Sequence, residues 1–465
     1  MTTETDDLLL RRESGLKRRL SRRQLTMIAM GGAIGTGLFL GSGLAIGLAG
    51  PGVILSYILG VVICLVMMSA LTEMAVVHPT AGSFGVYAET YLSPWAGFVA
   101  RYTYWLAQVV AIGGEVTAAA IYTRFWFPQV PQWIWIVLYS AVLILVNLSS
   151  VGSFGTFEYW FAMVKVAAIV LFIILGIGYI FGGFGQPAPG VSLWTSQGGF
   201  LPHGFRGVFK AMLIVIFSFY GIEIVAVTAG EAENPRQAVP RAMRSVVLRL
   251  SLFYILSIGL LVAVAPWRKA GISESPFVTV FRSVGIPYAA GIMNFVILTA
   301  ALSSMNTNLY LTSRMLFSLS RSGFAPKLFG RLRGPGAPRS AVLVSTIGLA
   351  AAALLSLKFP DSVYLYMFGI SIFGGIFVWI LILLTLIAFR AKRQKHGLPP
   401  SSLRMPGYPW LAWVGVVALV AILVDSFFIN LAIAWYAGIP WLMVISAIYL
   451  LYRKKRAGRT ERAPL

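Results

Sequence analysis

The chain has 465 residues, of which 58% are hydrophobic and only 11% charged, against roughly a quarter charged in soluble domains. With a mean hydropathy of +0.82, a soluble globular fold and a disordered chain are both excluded, and a polytopic membrane protein is required. The formal charge of +22 sits in clusters between apolar runs, which points to a membrane and away from nucleic acid.

The first residues, 1–23, are polar and basic, and read as a cytoplasmic tail lying near an anionic leaflet. A run from 25 to 50 follows. It is too long and too glycine-rich for the apolar region of a signal peptide, so cleavage is not expected. Residues 30–43 hold six glycines, among them Gly31, Gly32, Gly35 and Gly37. Each costs a helix about 1 kcal/mol relative to alanine. Close packing through small residues wants glycines four apart on one face. Gly35-Thr36-Gly37 breaks that period, so an unwound segment is expected near the bilayer midplane.

A second span is expected at 53–77 and a third at 94–122. Glu115 lies in the third, beside Gly113 and Gly114. It reads as a contact for substrate, a proton site, or a structural carboxyl bonded to a neighbouring helix. Arg101 in the same span reads as an anchor near its cytoplasmic end, and Glu73 as an interfacial residue. A fourth span is expected at 132–150 and a fifth at 158–182. Glu158 falls at a helix start and reads as a structural complement to the dipole. Lys165 lies about two turns further on. It either snorkels to the interface or is an amine whose charge is costly enough to be gained and lost.

A Gly/Pro-rich stretch, 183–206, separates the fifth span from the sixth, at 207–230. The sixth carries Phe217-Ser218-Phe219-Tyr220-Gly221-Ile222-Glu223. An ionisable group at this depth faces a cavity or a partner, so Glu223 marks a second break. Six more spans are expected at 244–266, 288–318, 340–357, 364–390, 410–430 and 434–452. Arg314 in the eighth reads as an anchor. Trp95, Trp267, Trp410 and Trp441 read as an interfacial belt.

Twelve spans put both termini on one side. That side collects 27 lysines and arginines against seven on the other, so both termini are expected in the cytoplasm. The two breaks lie five spans apart, an odd number. Two five-span repeats would therefore be inverted, 24–182 against 207–390. A loop at 391–409, a pair of spans at 410–452 and a tail at 453–465 would complete the chain. Broken helices at corresponding positions of two halves mark a transporter's binding site. Freed N–H groups would bind a carboxylate and freed carbonyls an ammonium. A zwitterionic amino acid carries both.

The residues that make these features resemble a known family. Gly31-Gly32-Ala33-Ile34-Gly35-Thr36-Gly37-Leu38-Phe39, with Gly50-Pro51-Gly52, is similar to the first-span signature of the amino acid–polyamine–organocation permeases. So are Pro79-Thr80-Ala81-Gly82-Ser83, the run from Phe217 to Glu223, Gly230-Glu231, Asn234-Pro235 and Pro240-Arg241-Ala242. The chain most resembles the bacterial amino acid transporter subfamily, which serves aromatic, neutral and basic amino acids and GABA. The resemblance implies an all-α, twelve-span, leucine-transporter-like fold of five-plus-five inverted repeats with broken helices 1 and 6. It implies proton-coupled amino acid uptake, with exchange on the same fold as the alternative.

By position, the resemblance puts the substrate carboxylate at Thr36 and Gly37. It puts the amine on carbonyls near Ala33, Ile34, Phe217 and Tyr220. Gly35, Ser218, Phe219, Gly221 and Glu115 complete the expected site. A lysine at the place of Lys165 is similar to those that stand in for a coupling sodium ion. It would bond carbonyls near Gly31 and the hydroxyls of Ser303 or Ser304, with Glu223 a further proton group. No sodium, cofactor or metal is expected. The single cysteine, Cys64, and the scattered His78, His203 and His396 offer no ligand spacing. No nucleophile–base constellation for an enzyme and no ring of charge for a channel is seen. The expected partners are an amino acid and the lipid bilayer. The oligomeric state and the side chain of the substrate are not legible.

Overall fold

A computed structural model describes residues 20–149, 154–182, 188, 190–271, 274–284, 288–332, 338–429 and 431–460. Most of the expected N-terminal tail, residues 183–187 and 189, Arg333 and the last five residues lie outside them. The described residues are helical, with no strand.

Helix α1 (Arg22–Ala33) starts at a capping box, in which Ser21 and Gln24 satisfy each other's backbone N–H groups. It stops at Ile34. A π-helical turn over Gly37–Gly41 leads into α2 (Ser42–Ala49). Helix α3 (Val53–Val77) follows, then α4 (Ser83–Tyr91) and the long α5 (Pro94–Thr123), with Ser93 capping the last and Pro94 at its first position. Helices α6 (Gln132–Ser149) and α7 (Phe154–Ile180) complete the first half.

The second half opens with α8 (Gly204–Ser218), which ends in turns at Phe219 and resumes as the short α9 (Ile224–Val227). Then come α10 (Pro235–Val264), α11 (Pro276–Val284), α12 (Ala289–Arg321), α13 (Arg339–Ser345), α14 (Ile347–Lys358) and α15 (Val363–Lys395). Helices α16 (Trp410–Asp425) and α17 (Ile433–Thr460) close the chain.

Nine helical runs among the described residues are long and apolar enough to cross a membrane, with 23–77 counted as one. The centre is built from α5, which packs along α12 and α15. Around it the outer faces are apolar and exposed: Leu145, Phe181, Leu248 and Val417 are each more than 60% accessible. That is the inverse of a soluble surface and suits contact with lipid.

Three buried charges are ion-paired. Arg101 is fully buried, ion-paired with Glu89 and donating to Ser318 at 3.1 Å and Ser322 at 2.9 Å. Arg314 pairs with Glu231 at 3.0 Å and lies over the Tyr310 ring. Both are interior pairs rather than the expected surface anchors. Glu73 is likewise buried rather than interfacial. Arg390 donates to it at 2.7 and 2.8 Å, and so does the Met405 N–H. Trp410 is exposed as a belt residue is, but Trp267 is 7% accessible and packs on His203. The segment before α1 and the segment after α9 meet in a single bridge. The Leu20 N–H donates to the Glu231 carbonyl at 3.0 Å, and the Glu233 N–H to that of Leu20 at 3.2 Å.

Candidate functional site

The first break frees three consecutive carbonyls, and each is taken by a side chain from a different helix. Lys165 Nζ of α7 donates to Gly31 at 2.5 Å. Ser304 Oγ of α12 donates to Gly32 at 3.3 Å. The Tyr254 hydroxyl of α10 points at Ala33 at 2.9 Å and shares its proton with the Ser218 carbonyl, also at 2.9 Å. On the amino side, the Thr36 N–H donates to both carboxylate oxygens of Glu115 at 3.4 Å. The Gly37 carbonyl accepts from Ser218 Oγ at 3.0 Å.

The glycines serve close packing as well as the break. A Cβ on Gly35 would stand 2.7 Å from Glu115 Oε1 and from Ser304 Oγ, and one on Gly37 would stand 2.9 Å from the Ser218 backbone. The packing role that the glycine period argues against is therefore present too.

The second break is clasped locally. Gly221 has φ +102°, a conformation L side chains rarely adopt. Its N–H donates to both oxygens of Glu223 at 3.2 Å. Tyr104 holds the same carboxylate at 2.9 Å and is held in turn by Gln108. Phe217 packs on Phe368 at 4.5 Å, and Tyr220 lies between Phe217 and Tyr104. Phe219 is not on this face. It is fully buried against Tyr254 and Tyr57. The buried hydroxyl of Tyr220 has no hydrogen-bond partner among the described residues.

Lys165 is fully buried and bonded to Gly31, so it does not snorkel. Ser303 and Ser304 do not bond it, contrary to expectation. Adjacent helical residues point about 100° apart, and the two serines reach different carboxylates. Ser303 Oγ donates to Glu158 at 2.5 Å and Ser304 Oγ to Glu115 at 3.1 Å. Glu158 and Glu115 both lie within electrostatic reach of the ammonium.

Glu158, read as a helix-start residue, is instead buried at the fifth position of α7, and its carboxylate crowds the place where a Gly31 side chain would stand. The sequence signal for this is its spacing of seven from Lys165, since seven residues is two turns and nearly the same face. Tyr254, Tyr104 and Gln108 carry no comparable mark in sequence. The Ala33 carbonyl, expected for a substrate amine, is already held by Tyr254. Among the described residues no group of histidine, cysteine and carboxylate side chains could hold a metal.

A helical bundle with an apolar exterior, two interrupted helices and buried charges at the interruptions defines a multi-pass membrane transport protein. The family model described as "Amino acid permease" matches residues 24–461, and the chain belongs to that family, within the amino acid–polyamine–organocation superfamily. It is 40% identical over 455 residues to the gamma-aminobutyric acid permease of Bacillus subtilis (strain 168), covering 97% of each chain. It is 39% identical over 442 residues to the aromatic amino acid transport protein AroP of Escherichia coli (strain K12), covering 94% of this chain and 96% of that one. A putative histidine permease of B. subtilis (strain 168) is 39% identical over 449 residues, with 95% and 94% covered.

Proposed function

We propose that the chain carries an amino acid inward together with a proton, by alternating access across the bacterial cytoplasmic membrane. Lys165 on the freed carbonyl of Gly31, flanked by Glu158 and Glu115, is the observation that carries this reading. A buried amine against an opened helix can hold a cation's place in one state and give up its proton in another. No sodium is then needed.

We read 23–77 as two passes, and 132–149 and 204–231 as one each, which makes twelve passes, and we propose that 24–182 and 207–390 are two inverted halves. The excess of lysine and arginine puts both termini in the cytoplasm.

Glu115 occupies the seat expected for the substrate carboxylate at Thr36. Two carboxylates compete for one N–H group. A proton on Glu115 weakens its hold there, because a neutral acceptor bonds less strongly than a charged one. The substrate carboxylate then takes the seat, and proton and substrate load together. Phe217, Tyr220 and Phe368 offer an aromatic wall to the side chain, and the Tyr220 hydroxyl offers a polar contact.

The test is uptake into proteoliposomes with an imposed inward proton gradient, with and without sodium. The panel is labelled phenylalanine, tyrosine, tryptophan, histidine and GABA, the classes named for the relatives. Accumulation that collapses with a protonophore and ignores sodium is expected. Uptake only against preloaded amino acid would replace symport with exchange and leave Lys165 a structural charge.

A further inference from the structure

We propose that a groove between α3 and α10 binds an anionic phospholipid, with an acyl chain along the two helices and its phosphate on Arg241, Arg244 and Arg404. The groove encloses about 580 Å³ and is open along its side. One wall is a stripe of α3, formed by Val61, Leu65, Met68 and Thr72. The facing wall is a stripe of α10, formed by Arg241, Arg244, Leu248 and Ser251. Both stripes step by three and four residues, so each is one face of its helix.

The chemistry changes along the groove. Arg241 to Ser251 spans roughly 15 Å at 1.5 Å per residue, the depth of one leaflet of a hydrocarbon core about 30 Å thick. The far end is apolar, with Leu65 and Leu248 exposed. The near end is cationic. Arg241 and Arg244 lie one turn apart, and Arg404 joins them from the loop before α16. All three are exposed.

These three arginines are set apart by lining one groove together. Arg101, Arg282, Arg314 and Arg390 each face a carboxylate. Among the described residues, Arg241, Arg244 and Arg404 converge on one groove with no acidic partner. Three guanidinium groups at the mouth of an apolar slot match a phosphodiester attached to an acyl chain. A soluble phosphate would use only half of that surface.

Arg404 is also held in place. The Met405 N–H donates to Glu73 at 2.8 Å, its carbonyl accepts from Arg390 at 3.2 Å, and Ser401 Oγ donates to the Glu73 carbonyl at 3.2 Å. The buried Glu73–Arg390 pair thus fixes one wall of the slot. The site requires a membrane setting but not the proposed coupling or substrate.

The test is native mass spectrometry of the delipidated full chain in detergent, titrated with palmitoyl-oleoyl phosphatidylglycerol or with the matching phosphatidylcholine. One tightly held phosphatidylglycerol is expected, and no comparable phosphatidylcholine. The triple variant R241Q/R244Q/R404Q should lose affinity by roughly 100-fold, the weight of three arginines at an anionic surface. R249Q/K327Q/K395Q removes the same charge from outside the groove and should not. Ser69→Trp fills the slot while keeping the arginines, and should also lose the lipid. Equal retention by the two triple variants, an unaffected Ser69→Trp protein, equal binding of phosphatidylcholine, or displacement by inorganic phosphate would each overturn the proposal. No transport is read, so either result leaves the transport reading where it stands.

Discussion

The two breaks solve one problem in opposite ways. An interrupted helix leaves backbone groups that the membrane interior cannot satisfy. In the first break the partners come from far along the chain: Glu115, Lys165, Tyr254 and Ser304, on four different helices. In the second, the carboxylate on the freed N–H is Glu223, two residues away in the same loop. The first break is therefore a property of the assembled bundle, and the second is closer to a local turn. A break whose contacts span several helices is the one whose rearrangement moves those helices.

The largest test of that contrast is Lys165→Ala. It strips the Gly31 carbonyl of its donor and leaves Glu158 and Glu115 without their cation. We expect proton-driven accumulation in proteoliposomes to fall to the level of empty vesicles, while substrate still protects the protein in a thermal-shift assay. Full accumulation would remove Lys165 from coupling. Next come the carboxylates. Glu115→Gln leaves a weaker acceptor at Thr36, so substrate should bind up to about 5-fold more tightly, given that a charged hydrogen bond exceeds a neutral one by roughly 1 kcal/mol, and uptake should lose its pH dependence. Glu223→Gln should lower melting temperature and leave substrate affinity within about threefold, since its contacts are to its own loop and to Tyr104.

Glycine replacements separate the breaks by cause. Gly221→Ala forces a side chain into positive φ, at a cost of about 1–3 kcal/mol. Gly35→Ala keeps an ordinary backbone but crowds Glu115 and Ser304, at a similar cost of about 1–3 kcal/mol from overpacking. Trimming one of the two crowded neighbours with Ser304→Ala should partly rescue the second, seen as partly recovered thermal stability, and not the first. The smallest effect is expected for Thr36→Val, which keeps the N–H that does the binding. Its apparent KM should move by no more than about threefold.

Both breaks are legible in the amino-acid sequence. Six glycines in fourteen residues mark the first, and an acidic residue in an apolar run marks the second. The segments read as spans coincide with helices because hydropathy and length are one-dimensional properties. Pairing is what a sequence does not display. Ser303 and Ser304 look equivalent in the chain, yet one serves Glu158 and the other Glu115, because a helix turns between them. Arg101 and Glu73 look like rim residues, since depth along a span says nothing of which face a side chain takes. Phe219 looks like its neighbours Phe217 and Tyr220, but the turn after Ser218 sends it into the core. Tyr254 gives no signal, because a lone tyrosine in an apolar helix is unremarkable until two carbonyls are brought to it.

The bridge between Leu20 and the Glu231–Glu233 segment has a consequence of a different kind. It joins the start of one interrupted helix to the end of the other by two amide hydrogen bonds. Such bonds do not read side chains. Glu233 is exposed and free to drift through evolution without loosening the fastening, so random mutagenesis there should be nearly silent, whereas Leu20 also packs its side chain against the core. Proline is the exception, because it lacks the N–H each position donates. Leu20→Pro or Glu233→Pro should unfasten the pair where other substitutions do not, detected as faster hydrogen exchange at the partner amide.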